Sequence, residues 1–283
     1  MTIDQMHIGF RFEIDESTNL ENPSFEPEEI DLWLNKAIKK FVKTRYSGIN
    51  IKGESFEQTQ KRIDDLRTLV AQETLPCVAG GTKENCYIAD LTDLTDDYWF
   101  TLGEEVLIGY YSLLDVTTTV ASGSLVVGEI YLVITDDVVH NAVTYSPGEY
   151  ILASATTFTG DGSVIKQSKS KQGVTEITID TYRSHIDNPY STHVLHYEEA
   201  MPLRLFIGDL VEFISDGQYG VVSYDIRYLR APVEVDWLAD TQVDCDLAEH
   251  THDEIVKLAA SMALENIEQP RYQSHMNEIN TME

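Results

Sequence analysis

The sequence predicts an α+β fold: helices at the start and end of the chain packed on an antiparallel sheet, with an inserted small all-β module. Three observations carry this. Helix-period patterns occupy 27–46 and 252–267, near the two ends. Alternating or aromatic-rich β runs fill 86–111, 174–182 and 203–230. Between the first two of these, 114–167 breaks into short β runs separated by turn residues. The division that follows is a body of residues 1–113 and 169–283 and a module of residues 114–168.

In chain order, Ile8, Phe10, Phe12 and Ile14 alternate weakly, which reads as a strand or extended arm followed by a loop to residue 26. Pro27, Glu28 and Glu29 then open a helix, because proline fits the first helical position and carboxylates favour the positive end of the dipole. Trp33, Leu34, Ala37, Ile38, Phe41 and Val42 form its apolar face. Lys36, Lys39, Lys40 and Lys43 lie opposite, as a solvated face or a basic binding patch, and Gly48 follows the end. A second helix is expected from Ser55, with Gln58 completing a capping box, to about Gln72. The runs CYIADL and YWFTLGEEVLIGYY read as strands. Tyr98, Trp99, Phe100, Tyr110 and Tyr111 suit a packed sheet face, with a carbohydrate platform as the functional alternative.

Within the module, turns are expected at Asp136–Asp137, His140–Asn141, Pro147–Gly148 and Gly160–Asp161–Gly162. The last lacks the spaced carboxylates of a calcium loop and reads as a hairpin turn. SKSKQ follows as a polar linker. VTEITIDTY is then the expected partner of YWFTLGEEVLIGYY, placing the module at a hairpin tip, where insertions are tolerated. Residues 183–202 read as irregular, and 203–230 as a meander turning near Asp216–Gly217.

The most informative stretch is Tyr219–Tyr272. Val221, Val222, Tyr224, Ile226 and Tyr228 form a strand that Pro232 ends or places on an edge. Thr251 and Glu254 have capping-box spacing. On a helical wheel Glu254, Lys257, Ser261, Glu265 and Glu268 share one narrow stripe, while apolar and small residues fill roughly two-thirds of the circumference, more than one packing face needs. Either a neighbouring subunit covers the surplus or the helix is a plain core helix of a monomer. On the first reading the assembly interface comprises Ile255, Val256, Ala259, Ala263 and Ile267, with Trp33 and Phe41 from the first helix.

The residues Tyr228, Leu229, Arg230, Pro232, Cys245, Leu247, Glu249, His252, Asp253, Glu254, Ile255 and Val256 carry a resemblance. A tyrosine strand ending in this Arg-x-Pro segment, an acidic linker and a His-Asp-Glu-Ile-Val helix resemble the neck or ring (head–tail connector) proteins of crAss-like, short-tailed bacteriophages. The module, through Tyr131, Val133, His140, Asn141, Val143, Thr144, Tyr145, Gly148, Tyr150, Phe158, Gly160, Gly162 and Val164, resembles short β-modules of phage virion proteins. The resemblance implies a structural virion protein forming a ring of about twelve identical subunits. That ring would join the portal to other neck or tail proteins and leave a channel for DNA. It implies residence in the virion after assembly in the bacterial host cytoplasm, and places Arg230 and Pro232 where an edge strand leaves the sheet. A glycan- or host-binding virion protein acting through the module is the alternative.

Composition restricts the partners. With 48 acidic against 20 basic residues the formal charge is −28, which disfavours tight binding to nucleic acid or to an anionic membrane. No apolar run approaches the roughly 20 residues of a membrane helix, and no secretory leader is recognisable. Cys77, Cys86 and Cys245 are too scattered for a disulfide framework. There is no Gly-rich phosphate loop and no G-x-S-x-G elbow, and His250 and His252 stand at poor spacing for joint metal ligation. The expectation is no enzyme, no cofactor, no metal and no catalytic residue.

Overall fold

The computed structural model describes residues 1–17, 25–48, 60–112, 119–120 and 125–266. The chain forms helices α1 (Ile3–Ser17), α2 (Pro27–Ser47) and α3 (Gln60–Leu66), then strands β1 (Val70–Pro76), β2 (Val78–Ala79), β3 (Cys86–Asp90), β4 (Tyr98–Tyr110) and β5 (Thr119–Val120). Next come β6 (Ile130–Thr135), β7 (Val138–His140), β8 (Val143–Tyr145), β9 (Tyr150–Leu152), β10 (Ser163–Gln172) and β11 (Thr175–Glu176). Helix α4 (Tyr182–Ile186), strands β12 (Leu203–Ile207), β13 (Leu210–Ile214) and β14 (Tyr219–Arg230), and helix α5 (His252–Asn266) complete it. The fold is α+β, with helices at the two ends of the chain, a large antiparallel sheet between them and smaller sheets besides. No helix among the described residues is long and apolar enough to cross a membrane.

Two compact units result: Met1–Val70 with Arg230–Glu283, and Ala71–Leu229. The expected body–module boundaries at 113/114 and 168/169 both fall within the second of these units.

In the first unit α1 replaces the expected strand or arm. Ile3, Met6, Phe10 and Ile14 are buried at helical spacing, whereas Ile8 and Phe12, which made the sequence look alternating, are 54% and 64% exposed. Helix α2 begins and ends as its sequence predicts. Glu29 accepts a hydrogen bond from the Glu26 backbone N–H at 3.1 Å, and Gly48 closes the helix at φ 69°. Helix α3 stops at Leu66, six residues short of the expected Gln72. A 3-10 turn over Arg67–Leu69 follows, and Val70 already belongs to β1. Pairing with β14 outweighs the local helical pattern there. The Ser55–Gln58 capping box lies outside the described residues. At α5 the predicted box does not form: the Thr251 hydroxyl donates to the Ala248 carbonyl at 2.8 Å, and Glu254 turns to Arg45.

The second unit contains a seven-stranded sheet in the order β1-β14-β4-β10-β6-β9, with β5 also on β10. Beside it are a five-stranded sheet, β11-β12-β13-β3-β2, and the hairpin β7-β8. Their shared core brings Val106, Ile108 and Tyr110 of β4 against Val211 and Phe213 of β13 and against Tyr219, Tyr224, Ile226 and Tyr228 of β14. The Phe213 and Tyr224 rings meet at 4.8 Å between centroids. Strand β14 lies between β1 and β4, so Pro232 ends it without making it an edge. The β12–β13 hairpin turns at Gly208–Asp209; the expected turn at Asp216–Gly217 carries the chain from one sheet to the other.

The partner of β4 is also corrected. Ser168–Gln172, read as a linker, pairs antiparallel with Tyr110–Val106, while VTEITIDTY contributes only the two residues of β11, parallel to β12. The same strand β10 pairs with β6 over Ser163–Gln167. The module therefore has its own core, including Leu125, Tyr131, Val133, Ile151 and Val164, yet shares a continuous strand with the main sheet.

The Gly-Asp-Gly turn has a packing reason. A Cβ at Gly162 would sit 2.5 Å from the carbonyl oxygens of both Thr135 and Asp136, against the preceding Asp-Asp turn. Gly162→Ala is expected to cost about 1–3 kcal/mol through this overpacking. Gly103→Ala, where a Cβ meets nothing within 4 Å, should be near neutral. Thermal denaturation of the two variants checks the difference.

Candidate functional site

The residues proposed for assembly are largely covered by their own unit. Ile255, Val256, Ala259 and Ala263 are buried on α5, which packs against α1 and α2. Gly9 of α1 lets the helices approach closely, since a Cβ there would meet Val256 at 3.3 Å. Ser261, placed on the polar stripe by the wheel, is buried too. Phe41 is buried with the Arg45 guanidinium 4.7 Å from its ring centroid. Trp33 is half-buried, with the Lys36 ammonium 4.4 Å from its ring centroid. Ile267 lies outside the described residues. The wide apolar arc of α5 is thus filled by the chain's own helices and no longer argues for a second subunit.

The polar residues of this unit form a network that sequence spacing did not reveal. Arg45 is 1% exposed and Asp65 2%; Arg45 Nε stands 3.3 Å from Asp65 Oδ2, and Arg45 Nη2 donates to Glu254. Fully buried Arg62 places Nη1 3.6 Å from the same Asp65 oxygen, and His250 Nε2 lies 3.0 Å from Asp65 Oδ1. Groups from α2, α3 and α5 converge here because a buried charge is tolerable only when paired. Both histidines once weighed for metal are otherwise engaged, His252 being buried with Nε2 2.9 Å from the Leu247 carbonyl. The lysine face of α2 is partly used within the unit, Lys39 pairing with Glu234.

The residues that carry the phage resemblance also pack. Tyr228, Leu229, Cys245, Leu247, Ile255 and Val256 are buried. Arg230 Nη1 reaches Asp246 Oδ2 at 2.8 Å and Nη2 donates to the Thr68 carbonyl at 3.4 Å, tying the end of β14 to the acidic segment before α5.

In the second unit the Glu104 side chain lies between Arg204, whose Nη2 is 3.0 Å away, and the Tyr224 hydroxyl, which donates to it. Burial, then the Glu104 charge, pushes the Tyr224 phenol far above its ordinary range. The aromatics of β4 serve packing: Tyr98 lies 6.1 Å from Tyr228 and 6.3 Å from Phe206, and Tyr110 is buried.

The accessible aromatic site is elsewhere. A small cleft of about 70 Å³ is lined by Cys77, Val78 and Ala79 around β2, Tyr87 of β3, Val221 of β14, Val143–Tyr145 of β8, and Glu149 and Tyr150. Tyr87 and Tyr150 meet edge-on at 6.5 Å. Burial, then the charge of Asp216, pushes Tyr150 up to about 12, and Tyr145 is raised by burial and then by Glu149. These hydroxyls are neutral donors at neutral pH. Tyr87 and Tyr150 are distant in sequence, so no local motif announces the cleft. Among the described residues no group of three or more His, Cys, Asp or Glu is placed to hold a metal ion. No protein-family model matches the chain, and no curated protein matches it significantly.

Proposed function

We propose that this chain is a structural virion protein, a ring subunit of the head–tail connector of a crAss-like, short-tailed phage. The observation that carries the reading is the packing role of the resembling residues: in the helical unit Cys245, Leu247, Ile255 and Val256 are buried and Arg230 pairs with Asp246. The subunit contact then falls to exposed apolar side chains of the helical unit. Ile8 and Phe12, one turn apart on α1, lead these. The acidic balance suits a channel that DNA traverses without being gripped.

Electron microscopy of the purified protein and of intact particles tests this. Closed rings are expected, and Phe12→Asp should return single chains of 32.0 kDa that melt like the parent. A wild-type protein that forms no ring alone and occupies no neck ring in particles overturns the reading. So does micromolar duplex binding with a steep salt dependence, the mark of several neutralised phosphates.

A further inference from the structure

His140 ends β7 with 2% of its surface exposed, and both of its ring nitrogens are engaged. Nδ1 lies 3.0 Å from the Thr157 carbonyl, which can only accept, so Nδ1 carries the proton. Nε2 faces three donors: the Ser154 N–H at 3.1 Å, the Ser154 hydroxyl at 3.2 Å and the Ala155 N–H at 3.4 Å. The Asn141 amide donates to Ser154 Oγ at 2.5 Å, which leaves the hydroxyl proton for His140. The site is therefore built around the neutral ring in one tautomer.

A second proton, on Nε2, would face those same donors. The serine hydroxyl can turn round and accept, but the two main-chain N–H groups cannot. A charge without a counter-ion would also be left in the module core. All hydrogen-bond partners of the ring are neutral, and no carboxylate pairs with it among the described residues. The titratable groups of the surrounding elements are Asp136 and Asp137 before β7, Tyr145 on β8, Glu149 before β9 and Asp161 after Thr159, none of them bonded to the ring. Lys166 of β10 is taken by Glu129.

We propose that His140 is a proton-operated clasp: neutral, it ties the β7–β8 hairpin to the segment 154–159, and on protonation it releases them. Val139 and Thr159 join the same two pieces through main-chain bonds of 2.7 and 2.9 Å. Val138 and Phe158, which release would uncover, are 0% and 8% exposed in the module core. A histidine in an open chain takes up its proton at about pH 6.5, and the closed site has no place for one. The open state thus binds one proton more, so the clasp is secure above that pH, and each pH unit below it favours opening about tenfold. The clasp does not depend on the ring reading and would work equally in a monomer.

Nitrogen NMR of the full-length protein tests the tautomer, and amide exchange tests the release. At about pH 7.5 the His140 ring should show a protonated Nδ1 and a bare Nε2. From about pH 6.5 to about 5.5, exchange at Val139 and Thr159, corrected for the intrinsic rate, should quicken about tenfold, while the β4–β10 ladder keeps its protection. His140→Gln offers an amide nitrogen and oxygen but takes up no proton, so its exchange should change by less than about twofold over the same range. The reverse tautomer overturns the proposal, as does a ring that gains its second proton while Val139 and Thr159 stay protected. An equal pH response in His140→Gln, or one spread evenly over the β4–β10 ladder, overturns it too. Where that variant fails to fold, the two measurements on the parent still decide between these outcomes.

Discussion

Asp65→Ala is expected to destabilise the helical unit by about 3–5 kcal/mol, the cost of breaking a buried ion pair from one side. The substitution removes the carboxylate that faces Arg45, Arg62 and His250 and leaves two buried guanidinium groups beside each other. Glu254 still holds one end of Arg45, so the unit weakens instead of losing every counter-charge. Asp65→Asn should recover part of the loss, because an amide oxygen still accepts from His250 but carries no charge. Chemical denaturation reads the difference as a lower midpoint at unchanged slope. The loss should persist at high salt, since a buried pair is poorly screened. A cost below about 1 kcal/mol, the value for an exposed pair, would contradict the buried network.

Glu104→Ala should have a comparable effect in the β-rich unit. The Glu104 and Arg204 side chains are 8% and 6% exposed, and Tyr224 is fully buried. Removing the carboxylate leaves Arg204 with exposed Glu176, 3.3 Å away, and leaves the Tyr224 hydroxyl in the core without its acceptor. About 3–5 kcal/mol is expected. Glu104→Gln restores an acceptor for Tyr224 and should be milder. Tyr224→Phe in the Glu104→Ala background should cost less than in the parent, because the hydroxyl has already lost its acceptor. Full additivity in that double-mutant cycle would show that Glu104 and Tyr224 do not act together.

What the sequence revealed follows the range of the interactions involved. Helix α2 was legible because Pro27, its carboxylates, its apolar stripe and Gly48 lie within one segment. The turns at Asn141 and Gly148 were legible for the same reason, and both residues lie at positive φ. Helix α1 was misread because Ile8 and Phe12 are exposed apolar residues that simulate a period of two. The SKSKQ segment looked like a linker because its lysines face solvent and its serines give no apolar signal, yet β4 supplies the main-chain partners. The α5 arc was read correctly as needing cover on several sides. That α1 and α2 provide the cover depends on contacts far apart in sequence. The buried ion pairs were invisible for the same cause: Arg45 and Glu254 are 209 residues apart.

Strand β10 has a mechanical consequence. Its first half is bonded to β6 and its second half to β4, with no break in the strand between them. A pull on the module directed along β10 loads both ladders lengthwise, so many hydrogen bonds must yield together before anything slips. A pull across the strands opens the same bonds one after another, at much lower force. The module is therefore a stiff lever whose resistance depends on direction, and single-molecule pulling from attachment points along and across β10 would measure that anisotropy.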